Sequence, residues 1–133
     1  MKKGLILILL FSLFVSSCSP PKTNTSQGST MVDSINHCES LSDIQDKDLC
    51  YYNLAQSQND PTFCERPSTL ETKDACYLGI ALAKKDSSIC ESSSNSKNRD
   101  ACYWNVAITK KDPGVCGGIR NSNLRQQCFV DAR

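Results

Sequence analysis

Apolar residues between positions 33 and 133 come in bursts at three- and four-residue spacing, separated by polar breaks. In one burst Cys76, Tyr77, Ile80, Ala81 and Ala83 fall on one side of a helix. The same phrase is written before it as Cys50, Tyr51, Leu54, Ala55 and after it as Cys102, Tyr103, Val106, Ala107. This periodicity predicts long helices near 43–57, 69–84, 95–110 and 122–132. Ser42-Asp43-Ile44-Gln45 and Ser68-Thr69-Leu70-Glu71 fit the capping box that opens a helix, and Ser94 holds the same phase with Lys97 in place of the acid or amide. Asp60-Pro61 and Asp112-Pro113 set an N-cap acceptor before a proline whose missing N–H costs little at the first helical position. With Asp86-Ser87 as the weaker copy, these predict short helices ending near Arg66, Ser92 and Gly118.

The pattern is a repeat. Cys38, Cys50, Cys64, Cys76, Cys90, Cys102, Cys116 and Cys128 are separated by gaps that alternate between 12 and 14 residues. The period of 26 recurs in an aromatic after every second cysteine (Tyr51, Tyr77, Tyr103, Phe129) and in Ala55, Ala81 and Ala107. Fixed-period self-similarity of this kind marks a stack of identical supersecondary units. The expected fold is all-α: antiparallel hairpins of one short and one long helix, stacked in a row. In plan this resembles an α-solenoid of the tetratricopeptide kind, although the period is shorter and none of that family's motifs is present.

Each hairpin has few large apolar residues, so its core is thin for a domain of this size. Disulfides can make up the difference, because closing a loop of about 15 residues stabilises by roughly 3 kcal/mol. Two local pairings respect the repeat. One joins Cys38–Cys50, Cys64–Cys76, Cys90–Cys102 and Cys116–Cys128 inside each hairpin. The other joins Cys50–Cys64, Cys76–Cys90 and Cys102–Cys116 across neighbours. The second strands Cys38 and Cys128 at opposite ends, beyond the reach of a disulfide, so the chain ends favour the first.

Met1-Lys2-Lys3, an apolar run from Leu5 to Val15, and Ser16-Ser17-Cys18 have the layout of an export signal. The run is short for a permanent span. Val15-Ser16-Ser17-Cys18 resembles the lipobox of bacterial lipoproteins. The resemblance covers residues 1–18 and implies that residues 1–17 are removed, that Cys18 receives diacylglycerol, and that its new amino group is acylated. Ser19, with no Asp in its place, implies sorting to the outer membrane where an organism has two. Residues 1–17 hold Lys2 and Lys3 and no acid, so 15 basic residues become 13 against 14 acidic ones, a net charge of −1. That balance offers no electrostatic footprint for nucleic acid; the expected membrane contact is through acyl chains. Residues 18–32, the lipidated cysteine and a segment rich in Pro, Ser and Thr, read as a tether reaching roughly 20 Å. An exported domain at 33–133 sits where disulfides persist.

Catalytic and metal chemistry find little to work with. No C-x2-C pair occurs, and His37 is the sole histidine. A zinc site, a redox centre or another cofactor is therefore not expected. His37 shares its phase with Phe63, Ile89 and Val115 and is expected to cap the stack or to be half-buried. Asp48, Asp74 and Asp100 recur, each behind a cation (Lys47, Lys73, Arg99), and are expected on a solvated, charged helix edge. As paired carboxylates they are the only candidates for an envelope hydrolase, the alternative reading. Lys84-Lys85 and Lys110-Lys111 are expected to complement helix C-termini. Tyr52, Leu78 and Trp104 align beside the packing face and form a candidate contact row for a partner. The functional expectation is a lipid-anchored, non-enzymatic binding or scaffold module of the cell envelope with a protein or peptide partner; a purely structural surface lipoprotein is the third reading.

Overall fold

The computed structural model describes residues 30–133. The export signal, Cys18 and the tether up to residue 29 lie outside the described residues. Within them every element is helical: α1 (Met31–Ser40), α2 (Ile44–Gln58), α3 (Leu70–Lys84), α4 (Ser96–Lys110) and α5 (Ser122–Asp131). Single turns of 3-10 helix, η1 (Pro61–Glu65), η2 (Ser87–Ser92) and η3 (Pro113–Gly118), link α2 to α3, α3 to α4 and α4 to α5. Contacts run between neighbours in sequence, α1 on α2, α2 on α3, α3 on α4 and α4 on α5, with each 3-10 turn wedged between the helices it joins. That nearest-neighbour pattern is the mark of a solenoid. No described helix is long and apolar enough to cross a membrane.

Two features depart from the sequence reading at the element ends. The first hairpin is opened by a full ten-residue α-helix that begins at Met31, inside the segment expected to be tether. Its cause is a capping box: Thr30 accepts from the Asp33 amide while the Asp33 carboxylate accepts from the Thr30 amide. The long helices are capped one residue later than expected, by Asp43, Thr69 and Asn95, with Asn121 capping α5. Ser42, Ser68 and Ser94 stand outside their helices, and the boxes built on them do not form.

Asp60, Asp86 and Asp112 cap the 3-10 turns as expected, each accepting an amide two residues on. The preceding helices close on Asn59, Lys85 and Lys111, all left-handed at φ 52°. The amides of Asp60, Asp86 and Asp112 then reach back to the carbonyls of Ala55, Ala81 and Ala107. A closed helix end of this kind favours glycine, and a side chain in the left-handed region costs about 1–2 kcal/mol. Lys85→Gly and Lys111→Gly are therefore each expected to raise stability, by about 0.5–1 kcal/mol after glycine's own entropic cost. Urea midpoints read this directly.

The interior consists of two thin clusters. One gathers Tyr51, Leu54, Ala55, Phe63, Tyr77 and Ile80; the other gathers Tyr103, Val106, Ala107, Val115 and Ile119. Ile89 touches both. Ala83, expected on the buried face, is exposed, as is Phe129, the last of the aromatic column. The disulfides complete the clusters. They join Cys38–Cys50, Cys64–Cys76, Cys90–Cys102 and Cys116–Cys128, with Cα–Cα separations of 5.5–5.7 Å. This is the pairing within hairpins, and it leaves no thiol unbonded among the described residues.

Candidate functional site

Asp48, Asp74 and Asp100 overturn the expectation of a solvated edge, being 4–8% exposed. Each points from one long helix to the chain entering the next, 20–21 residues on. Asp48 accepts the amides of Ser68 (2.6 Å) and Thr69 (3.1 Å). Asp100 accepts those of Arg120 (3.0 Å) and Asn121 (2.9 Å). Asp74 accepts the Ser94 amide (2.7 Å) and hydroxyl (2.6 Å) and the Asn98 side-chain amide. The carboxylates thus sit at the positive ends of α3, α4 and α5, where backbone N–H groups otherwise lack partners. Burial pushes each carboxyl up, but the hydrogen bonds from the next repeat outweigh it and hold all three below the ordinary aspartate value. A lowered folded-state pKa stabilises above the unfolded value, 3.8, and that contribution is lost as pH falls through the folded value.

The cations in front of them part ways. Lys47 and Lys73 reach Glu39 and Glu65 at 3.5 and 4.0 Å. Arg99 is buried against Asp100 at 3.0 Å, its Nε without a hydrogen-bond partner. Arg125, at the same phase of the repeat but in front of Gln126, donates to the Ile119 carbonyl.

A second recurring bond ties each hairpin internally. The phenols of Tyr51, Tyr77 and Tyr103 donate to Glu39, Glu65 and Glu91, the residues directly after Cys38, Cys64 and Cys90. Each therefore runs parallel to a disulfide, one position along. Burial first, and then the glutamate partner, pushes Tyr51 and Tyr103 up to about 12, and raises Tyr77 further still. In the last hairpin both partners are missing: Gly117 faces Phe129. Gly118 has no room for a side chain, since a Cβ there would lie 2.3 Å from the Tyr103 ring.

The outer surface carries one groove between each pair of long helices. Between α2 and α3 it is lined by Ile44, Gln45, Asp48, Leu49, Thr69 and Thr72. Between α3 and α4 a groove of ≈ 510 Å³ is lined by Leu70, Glu71, Asp74, Ala75 and Leu78 on one wall and Ser94, Asn95, Asn98 and Ala101 on the other. Ser96, Lys97, Asp100, Arg120, Asn121 and Leu124 line the third. Ile44, Leu49 and Leu70 are large apolar side chains left 56–63% exposed. Lys97 and Arg120 give the third groove a basic wall instead.

Tyr52, Leu78 and Trp104 lie on the same stripe of their helices, one turn beyond Asp48, Asp74 and Asp100. All three are half-buried and pack against the core, and Leu78 also lines a groove. His37, expected to cap the stack or to be half-buried, is exposed on the last turn of α1, the first described helix. Of the recurring lysines, Lys84 donates to the Asn59 carbonyl and Lys110 pairs with Asp112. Asp48, Asp74 and Asp100 line three different grooves rather than converging in one.

No protein-family model, curated protein or solved structure matches this chain. The groove face and the carboxylate ladder beneath it are thus read from their own chemistry. Sequence reasoning missed that ladder's role and the tyrosine–glutamate ties. Their signal was present in the repeat columns: Gln126 stands where a fourth aspartate falls, and Gly117 and Phe129 replace glutamate and tyrosine together.

Proposed function

We propose that the protein is a lipid-anchored module of the bacterial cell envelope whose grooved face holds a protein or peptide partner without catalysing a reaction. The observation that carries the binding reading is the grouping of Ile44, Leu49 and Leu70, all exposed, along two adjacent grooves; the other exposed large apolar side chains, among them Val32 and Val130, line neither groove. Apolar side chains grouped beside a concave, polar-rimmed groove mark interaction surfaces. Each carboxylate beneath the grooves is already satisfied by two or three donors, which favours a structural duty over acid–base chemistry. The anchor rests on the lipobox-like residues 15–18.

Photo-crosslinkers placed at Leu49, Leu70 and Thr109 in cells fed labelled fatty acid test both parts. Thr109, two and a half turns along α4 from Asp100, lies on the opposite side of that helix and serves as the control. Leu49 and Leu70 are expected to capture one common protein that Thr109 does not, and the label is expected to vanish in Cys18→Ser. Equal capture from all three positions, or none, removes the groove reading; label retained in Cys18→Ser removes the anchor.

A further inference from the structure

Seven of the eight bonded cysteines are shut in the core at 0–1% exposure, and Cys50 is the exception. The reason is positional. Cys64–Cys76 and Cys90–Cys102 belong to hairpins with a neighbour on each side, and Cys116–Cys128, although in the last hairpin, has both sulfurs buried, whereas Cys38–Cys50 belongs to the first hairpin, and among the described residues no helix covers it from the outer side. Both Cys38 and Cys50 line a cleft of ≈ 340 Å³ between α1 and α2, open to solvent, with Asp33, His37 and Asn53 on its walls. A disulfide that a thiolate can approach is the labile member of a set, because exchange requires access to one sulfur along the bond.

We propose that Cys38–Cys50 is a thiol-exchange site, reduced selectively by an envelope dithiol while the other three disulfides persist. A thiolate of the dithiol attacks Sγ of Cys50, the accessible sulfur. The S–S bond breaks, its electron pair leaves with Sγ of Cys38, and a mixed disulfide joins Cys50 to the reductant. The reductant's second thiolate then closes on its own sulfur and releases Cys50. The dithiol is oxidised to a disulfide, the protein gains two thiols, and the two protons given up by the dithiol end on Cys38 and Cys50.

The consequence is local. Once the bond is open, α1 is held by packing of Ile35 and Cys38, by the Tyr51 hydroxyl on Glu39 and by ion pairs of Glu39 with Lys47 and Arg66. Unlike α3, α4 and α5, α1 has no aspartate of a preceding helix bonded at its start, and it is the described element nearest the tether. Reduction therefore loosens the first helix without dismantling the stack.

Graded dithiothreitol, applied to the full chain purified without reductant and without denaturant, tests this. Thiols are trapped by alkylation at intervals, assigned by peptide mass, and helix content is followed by circular dichroism. Cys38 and Cys50 are expected to alkylate together at least about tenfold faster than the other six, with most helix retained. Glutathione in place of the dithiol is expected to leave its adduct on Cys50 rather than Cys38. The paired variant Cys38→Ser/Cys50→Ser is expected to lose the fast phase and keep the slow one. Simultaneous opening of all four bonds, or an inner pair opening first, overturns the proposal; the wild-type order decides even if the variant does not fold.

Discussion

Asp100→Ala is expected to cost about 3–5 kcal/mol, more than any other single side-chain truncation in the chain. Two losses combine. The amides of Arg120 and Asn121, partly buried at the entrance to α5, lose their acceptor. Arg99, 5% exposed, loses its ion-pair partner, the only one it has among the described residues, and its Nε is already unpartnered there. Asp48→Ala and Asp74→Ala remove an acceptor without orphaning a buried cation, so each is expected to cost about 2–3 kcal/mol. At about 4–8 °C per kcal/mol for a domain of this size, thermal melts separate the two classes. The pH dependence distinguishes the ladder from simple packing. The wild type is expected to lose stability as pH falls below 3.8, as the three carboxylates take up protons and release the amides of the next repeat. Asp100→Ala is expected to show a shallower acid limb, having one such group fewer. A variant that melts with the wild type, or an acid limb of unchanged slope, would place the inter-repeat coupling elsewhere.

This ladder also marks the boundary of what the sequence makes legible. The period, the helices and the pairing of the cysteines can be read from it, because all three depend on spacing between residues of recognisable type. Cysteines 12 residues apart, an alanine five after Cys50, Cys76 and Cys102, and an aspartate before each 3-10 turn act within one unit. Asp48, Asp74 and Asp100 instead bond main-chain amides some 20 residues away. Amides leave no trace in the residue names, and the preceding lysine or arginine made the position look like a charged edge. The caps slipped by one residue for a related reason: Ser68 and Ser94 donate their amides to those carboxylates, so the helix start falls to Thr69 and Asn95. Helix α1 was hidden by the polar composition of the segment before it, although Thr30 and Asp33 have capping-box spacing. The row Tyr52, Leu78 and Trp104 aligns from the period, but all three lean into the core, while the apolar side chains left exposed along the grooves are Ile44, Leu49 and Leu70. Period alone fixes a stripe, and only packing decides which residues of it are covered.

Removing all four disulfides is expected to abolish the cooperative fold. Each closes a loop of local chain and contributes roughly 3 kcal/mol in the chain-entropy model, while small domains have only about 5–15 kcal/mol of net stability in total. The rest of the interior is too thin to compensate. The largest fully buried side chains besides cysteine and Pro67 are Tyr51, Ile80, Val106 and Ile119, spread over two clusters. Fully reduced and alkylated chain is therefore expected to show no sigmoidal melt, whereas a variant with only Cys64→Ser and Cys76→Ser melts cooperatively at lower temperature. Because contacts run between neighbours, losses at Cys64–Cys76 and Cys116–Cys128 are expected to add within about 0.5 kcal/mol, while losses at Cys64–Cys76 and Cys90–Cys102, which share α3 and η2 as a joint, are expected to couple. Urea titrations of the single-bond and two-bond variants measure both. A reduced chain that keeps its helices and a sharp transition would show that the capping ladder and the two small clusters hold the stack unaided, and that sulfur only fixes what the carboxylates have already aligned.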